Sequence, residues 1–162
     1  QTMALDAAAT AGPLTDGVDP SDPLGGAVAG ITPAKATGGI DLPLEDAVDD
    51  ALVVGAPKLT LQYHGTTPDG ERPTRIFAQL VDDDLGVVVG NQITPIEVTL
   101  DGKTHTVEVD LEVIAQLVRP GHGLTLQLVP ATVAYATPRL GGSITVERIG
   151  VDLPVTTALS EG

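Results

Sequence analysis

From Gly55 onward the chain runs in short stretches that alternate apolar and polar residues, each ended by glycine, proline or aspartate. That period of two fits strands buried on one face, and it leaves little room for helices. "KLTLQYH" puts Leu59, Leu61 and Tyr63 on one face. "RIFAQLV" puts Ile76, Ala78 and Leu80 on one side and Phe77, Gln79 and Val81 on the other. "TTPDGERP" carries turn chemistry between them, and "DDDLG" turns the chain into "VVVGNQI". The clearest hairpin signal is "PIEVTLDGKTHTVEVDLE", in which Ile96, Val98 and Leu100 face Val107, Val109 and Leu111 across Asp101-Gly102. "LTLQLVP" and "SITVERIGVDLP" complete the series. "EVIAQLV" also satisfies a helical spacing through Leu111, Ile114, Ala115 and Val118, and a turn or loop-like crossing is expected there, ended by Pro120-Gly121.

Regularly spaced short strands predict an all-β sandwich or jelly roll rather than a parallel α/β sheet. The composition agrees, with 19 glycines and 13 prolines in 162 residues. Only Tyr63, Phe77 and Tyr135 are aromatic, so the core must be built from Val, Leu, Ile and Ala. Residues 1–55 read differently: nine acids against Lys35 alone, broken by "GP", "DPSDPLGG" and "LP". An acidic, irregular arm or lead-in is expected there, with one strand near Ile40–Leu44. The β-sandwich domain is assigned to 56–155 and a tail to 156–162.

A formal net charge of -14 opposes binding to phosphate backbones and anionic lipid, so neither nucleic acid nor a membrane surface is an expected partner. No apolar run is long enough to span a bilayer. There is no cysteine, which rules out disulfides, thiolate metal sites and a cysteine nucleophile. No secretory signal is visible at "QTMALDAAAT".

Ser21, Ser143 and Ser160 are the only serines, and none stands in the G-x-S-x-G elbow of a hydrolase nucleophile. His64, His105 and His122 lack the spacing of a zinc site. Asp82, Asp83 and Asp84 offer clustered oxygen ligands to calcium, but without the spaced pattern of a dedicated loop, so a solvated acidic turn is the simpler reading. Sugar binding usually needs aromatic platforms, which this chain scarcely has. His122 lies between Gly121 and Gly123 just ahead of a strand, where a local role is expected: hydrogen-bonding backbone or a neighbouring loop.

Taken in order, several stretches resemble the C-terminal domain of the X-Pro dipeptidyl-peptidase and cocaine-esterase-like serine hydrolases. "PGHGLTLQLV" followed by "ATVAYATPRLGGS" resembles the family's turn-then-strand and the proline-containing loop after it. "VVGAPKLTLQYHG", "RIFAQLVDDDLGVVVGNQITPIEVTLDG" and "VDPSDPLGG" are similar to further segments, so that the likeness runs from about Asp19 to Pro154. The arginine common in the family's turn is Gly123 here.

The resemblance implies a galactose-binding-like jelly roll that packs on a separate α/β-hydrolase domain carrying the catalytic triad. None of the triad matches a residue of this chain, so no catalytic residue and no cofactor is carried over. The expected role is that of a non-catalytic accessory domain, helping to wall the active-site entrance or to make contacts between copies. Tyr135, Pro138 and Arg139, with His122 beside them, are the expected interface. The alternative is a free-standing secreted module that binds carbohydrate or calcium. Location in the envelope or outside of a bacterial cell is expected from the cysteine-free, lysine-poor composition.

Overall fold

In the computed structural model, residues 1–5, 34–68, 73–132 and 141–157 are described, and every element among them is a strand. There are eleven: β1 (Thr2–Ala4), β2 (Ile40–Pro43), β3 (Ala51–Gly55), β4 (Lys58–Thr66), β5 (Pro73–Asp82), β6 (Val87–Thr99), β7 (His105–Asp110), β8 (Ile114–Val118), β9 (Leu124–Val129), β10 (Ser143–Asp152) and β11 (Val155–Thr157). They form three antiparallel sheets. Sheet A runs β1-β10-β4-β7, sheet B runs β2-β9-β5-β6, and sheet C is the smaller β11-β3-β8. The expected all-β sandwich is the architecture found.

One hydrophobic cluster joins the three sheets. Leu59, Leu61, Tyr63 and Ile144 come from sheet A, Ile76, Leu80, Leu126 and Leu128 from sheet B, and Val53, Ile114 and Val118 from sheet C. The faces read from alternation on β4 are those that are buried. On β5 and β9 both faces are buried, because a second cluster of Phe77, Val81, Val88, Ile93 and Val129 sits on the other side of sheet B. The alternation in "LTLQLV" thus marks two different buried environments, not one buried and one wet face.

Two expectations are corrected. The Asp101-Gly102 step does not close a hairpin, since β6 pairs with β5 while β7 pairs with β4. The chain leaves sheet B at that step and enters sheet A. Gly102, at φ 82°, donates its N–H to the Gly65 carbonyl at 2.8 Å, and Asp101 bridges to Thr66. The Asp-Gly pair supplied the tight bend, but the partners were chosen by the core. The second correction concerns "EVIAQLV". Ile114 to Val118 form strand β8, paired to β3 from Ala51↔Val118 to Gly55↔Ile114. Its helical spacing lost to pairing with a strand sixty residues earlier in the chain, which no local pattern displays.

The stretches "VVVGNQI" and "PIEVTL" are one strand, β6, interrupted by a bulge where Gly90 (φ 59°) and Asn91 (φ 57°) take left-handed backbone. The matching register shift in β5 falls between Gln79 and Val81. The strand expected near Ile40–Leu44 is β2, which pairs with β9. β1, β2 and β3 each pair into one of the sheets.

Candidate functional site

Three loops meet beside sheet C: 44–50 ahead of β3, 83–86 between β5 and β6, and 119–123 between β8 and β9. Each has a local cause. In Arg119-Pro120-Gly121-His122, proline presets the second position and Gly121 takes φ 77°, and the His122 N–H closes on the Arg119 carbonyl at 3.0 Å. In the other turn, the Asp82 carboxylate accepts the N–H groups of Asp84 (3.1 Å) and Leu85 (3.0 Å), and Gly86 at φ 65° returns the chain to β6.

Backbone bonds then stitch the loops together. Ala47 donates to the His122 carbonyl at 3.3 Å, Gly121 donates to the Ala47 carbonyl at 2.9 Å, and Asp83 donates to the Gly123 carbonyl at 3.2 Å. The histidine and the aspartate run, read separately in the sequence, are brought side by side: His122 Nδ1 lies 2.5 Å from Asp84 Oδ2. Both side chains are nearly half exposed, so the pair adds little stability of its own.

The three aspartates have separate partners. Asp82 also accepts Gln116 Nε2 at 3.2 Å. Asp83 accepts the Thr125 hydroxyl at 2.8 and 2.9 Å and lies 3.6 Å from Lys35 Nζ. Asp84 faces His122. The three carboxylates therefore point to different neighbours rather than to a common centre, and among the described residues no group of three or more metal-ligating side chains forms.

Gly123 explains itself by contact. A Cβ there would stand 2.8 Å from Asp46 Oδ1 and 3.3 Å from Asp83 Oδ2. Two carboxylates from different loops close on this position, which leaves no room for a side chain.

Below the loops lies an open cleft of about 210 Å³. Leu85, Leu117, Val118 and Leu124 give it apolar walls; Asp82, Asp84, Gln116, Arg119 and His122 line it with polar groups. Such a cleft can take a side chain with an apolar stem and a cationic end. Gln116 and Leu117 escaped sequence reasoning, because only the fold brings β8 beside the aspartate turn, where Gln116 reaches Asp82; Leu85 was read only as part of that turn. Tyr135, Pro138 and Arg139 lie outside the described residues. Ser143 is a strand residue of β10, opposite Thr66 and Ala4.

On the far side of Asp83, a polar cluster reaches under sheet B. Lys35 Nζ lies 3.1 Å from Asp41, and the buried Gln127 donates to Asp41 at 2.7 Å and accepts from Gln79 at 2.9 Å. Gln127 also takes both backbone groups of Ala36, each at 2.9 Å.

No family model matches the sequence, and no curated protein matches it. Solved structures do share its fold. A selenomethionine-labelled α-amino acid ester hydrolase aligns with a TM-score of 0.56 at 14% identity, over 73% of this chain and 25% of that protein. A CocE/NonD family hydrolase from Staphylococcus aureus aligns at 0.55 and 12% identity, over 74% of this chain and 30% of its own. A second structure of a CocE/NonD family hydrolase from the same organism gives 0.54 and 13%, over 73% and 30%. The chain thus spans between a quarter and a third of each of these hydrolases.

Proposed function

We propose that this chain is a non-catalytic accessory domain of an α/β-hydrolase-type serine hydrolase, packing on the catalytic domain and shaping access to its active site. The observation that carries the proposal is the form of the match: nearly three quarters of this chain against about a quarter of an ester hydrolase, and similarly for a CocE/NonD hydrolase. The order of sequence segments shared with the cocaine-esterase-like and X-Pro dipeptidyl-peptidase enzymes points the same way. In this reading the ester or X-Pro peptide bond is cleaved by the catalytic domain, and no residue of this chain touches the reacting atoms.

The test is the size and activity of the natural gene product, followed with an antibody raised against this domain. A species far above 16.5 kDa that co-purifies with esterase or prolyl-peptidase activity is expected. A product of the chain's own size, without such activity, would overturn the proposal.

A further inference from the structure

Sheet C turns an apolar face outward. In its register Leu52 stands opposite Leu117 and Val54 opposite Ala115, while Val53, Ile114 and Val118 point the other way into the core. Val54 is 47% exposed, Leu117 45%, and Val113, just ahead of β8, 64%. A sheet face in water normally carries polar side chains, and a run of valine and leucine on two adjacent strands marks a surface made to be covered. The face continues without a break into the loop-cluster cleft, because Leu117 belongs to both and Leu85, 70% exposed, closes its far wall.

The charges around this surface say what covers it. Asp49 and Asp50 precede β3, Glu112 precedes β8, and Asp82 and Asp84 line the cleft; Arg119 is the cation among them. A second copy of the chain would bring the same acidic rim and another net charge of -14 against this one. The complementary surface is apolar at its centre and basic at its rim.

We infer that the outer face of β3 and β8, with the cleft at its end, is the surface that docks onto the catalytic domain of the same polypeptide. This rests on the accessory-domain reading above and adds to it the face and the chemistry of the partner surface.

Hydroxyl-radical footprinting of the full-length gene product tests it, with Lys103 as internal reference, since its side chain is 79% exposed in the turn between β6 and β7, beside Thr66 at the far end of β4. Val54 and Val113 should be labelled several-fold more slowly, relative to Lys103, in the full-length protein than in the isolated chain. Equal ratios in the two proteins would overturn the assigned face while leaving the accessory role standing. A gene product no larger than this chain would remove both. A concentration-dependent dimer of the isolated chain that Leu117→Asp abolishes would give the face to a second copy and overturn the assigned partner. In the full-length protein, Val54→Asp with Leu117→Asp should restore labelling of Val113. The same pair in the isolated chain should leave the thermal midpoint close to wild type, separating lost docking from lost folding.

Discussion

Gln127 is fully buried, yet every polar atom of its side chain is engaged, by Gln79, Asp41 and both backbone groups of Ala36. Replacing it with leucine strands a backbone N–H and carbonyl, and Gln127→Leu should cost about 1–3 kcal/mol. Urea unfolding followed by circular dichroism checks this; an unshifted midpoint would show that the Ala36 segment is held by other contacts. In "LTLQLV" this glutamine reads as a solvent-facing residue, because alternation records polarity and not what a segment 91 residues away lays on top of it. The aspartate turn and the Pro-Gly turn were legible for the opposite reason: their chemistry is local. Asp101 makes a second residue-scale case. Hydrogen bonds from His105 first, then from the Lys103 N–H, hold its carboxyl well below the usual carboxylate range. A depressed folded-state value means that its stabilisation is present above the unfolded value, roughly pH 4, and is lost as pH falls through the folded one. The gap in thermal midpoint between wild type and Asp101→Asn should therefore be widest near neutrality and close on acidification. A gap that does not change with pH would assign the effect to packing.

At the level of elements, β10 begins where β4 ends, and Gly142 makes that junction. Its φ is 98°, and a Cβ would stand 2.2 Å from the Thr66 carbonyl oxygen and 3.0 Å from the Thr67 Cα. Gly142→Ala meets rigid backbone in a conformation that disfavours side chains, so it should lose more than ~1 kcal/mol, read from the same urea transition. Gly121→Ala is the control: it shares the left-handed conformation but has nothing within 4 Å, so it should cost less. A reversed order would contradict the steric account. Strands were legible wherever alternation met punctuation, which covers β4, β5, β7, β9, β10 and, as two separate stretches, β6. β8 was not, since five residues of mixed period carry no signal until β3 lies beside them. The Asp101-Gly102 step was read correctly as a bend and wrongly as a hairpin. A bend constrains four residues, whereas the choice of partner is made by the burial of Val98, Leu100 and Leu111 in the shared core.

For the whole molecule, one cluster of buried side chains belongs to all three sheets, so no sheet can release its inner face without exposing another's. Unfolding should be a single cooperative transition, with circular dichroism and tyrosine fluorescence coinciding. A separate early transition would mean that sheet C melts by itself. The architecture was readable from the count and spacing of strands because every sandwich needs them. The candidate site was only half readable. Its turns are written in the sequence, but the cleft between them is made by contacts among three loops and sheet C.

The order of strands in sheet A also has a consequence during synthesis. β10, which sits between β1 and β4, leaves the ribosome after both of its partners. At ~5–20 residues per second, β4 waits on the order of 5–15 seconds for it, and β1 waits longer. Through that interval a growing chain carries unpaired strand edges, and a product that ends before Ser143 keeps them permanently. Premature termination in that region should thus yield insoluble fragments rather than small folded ones.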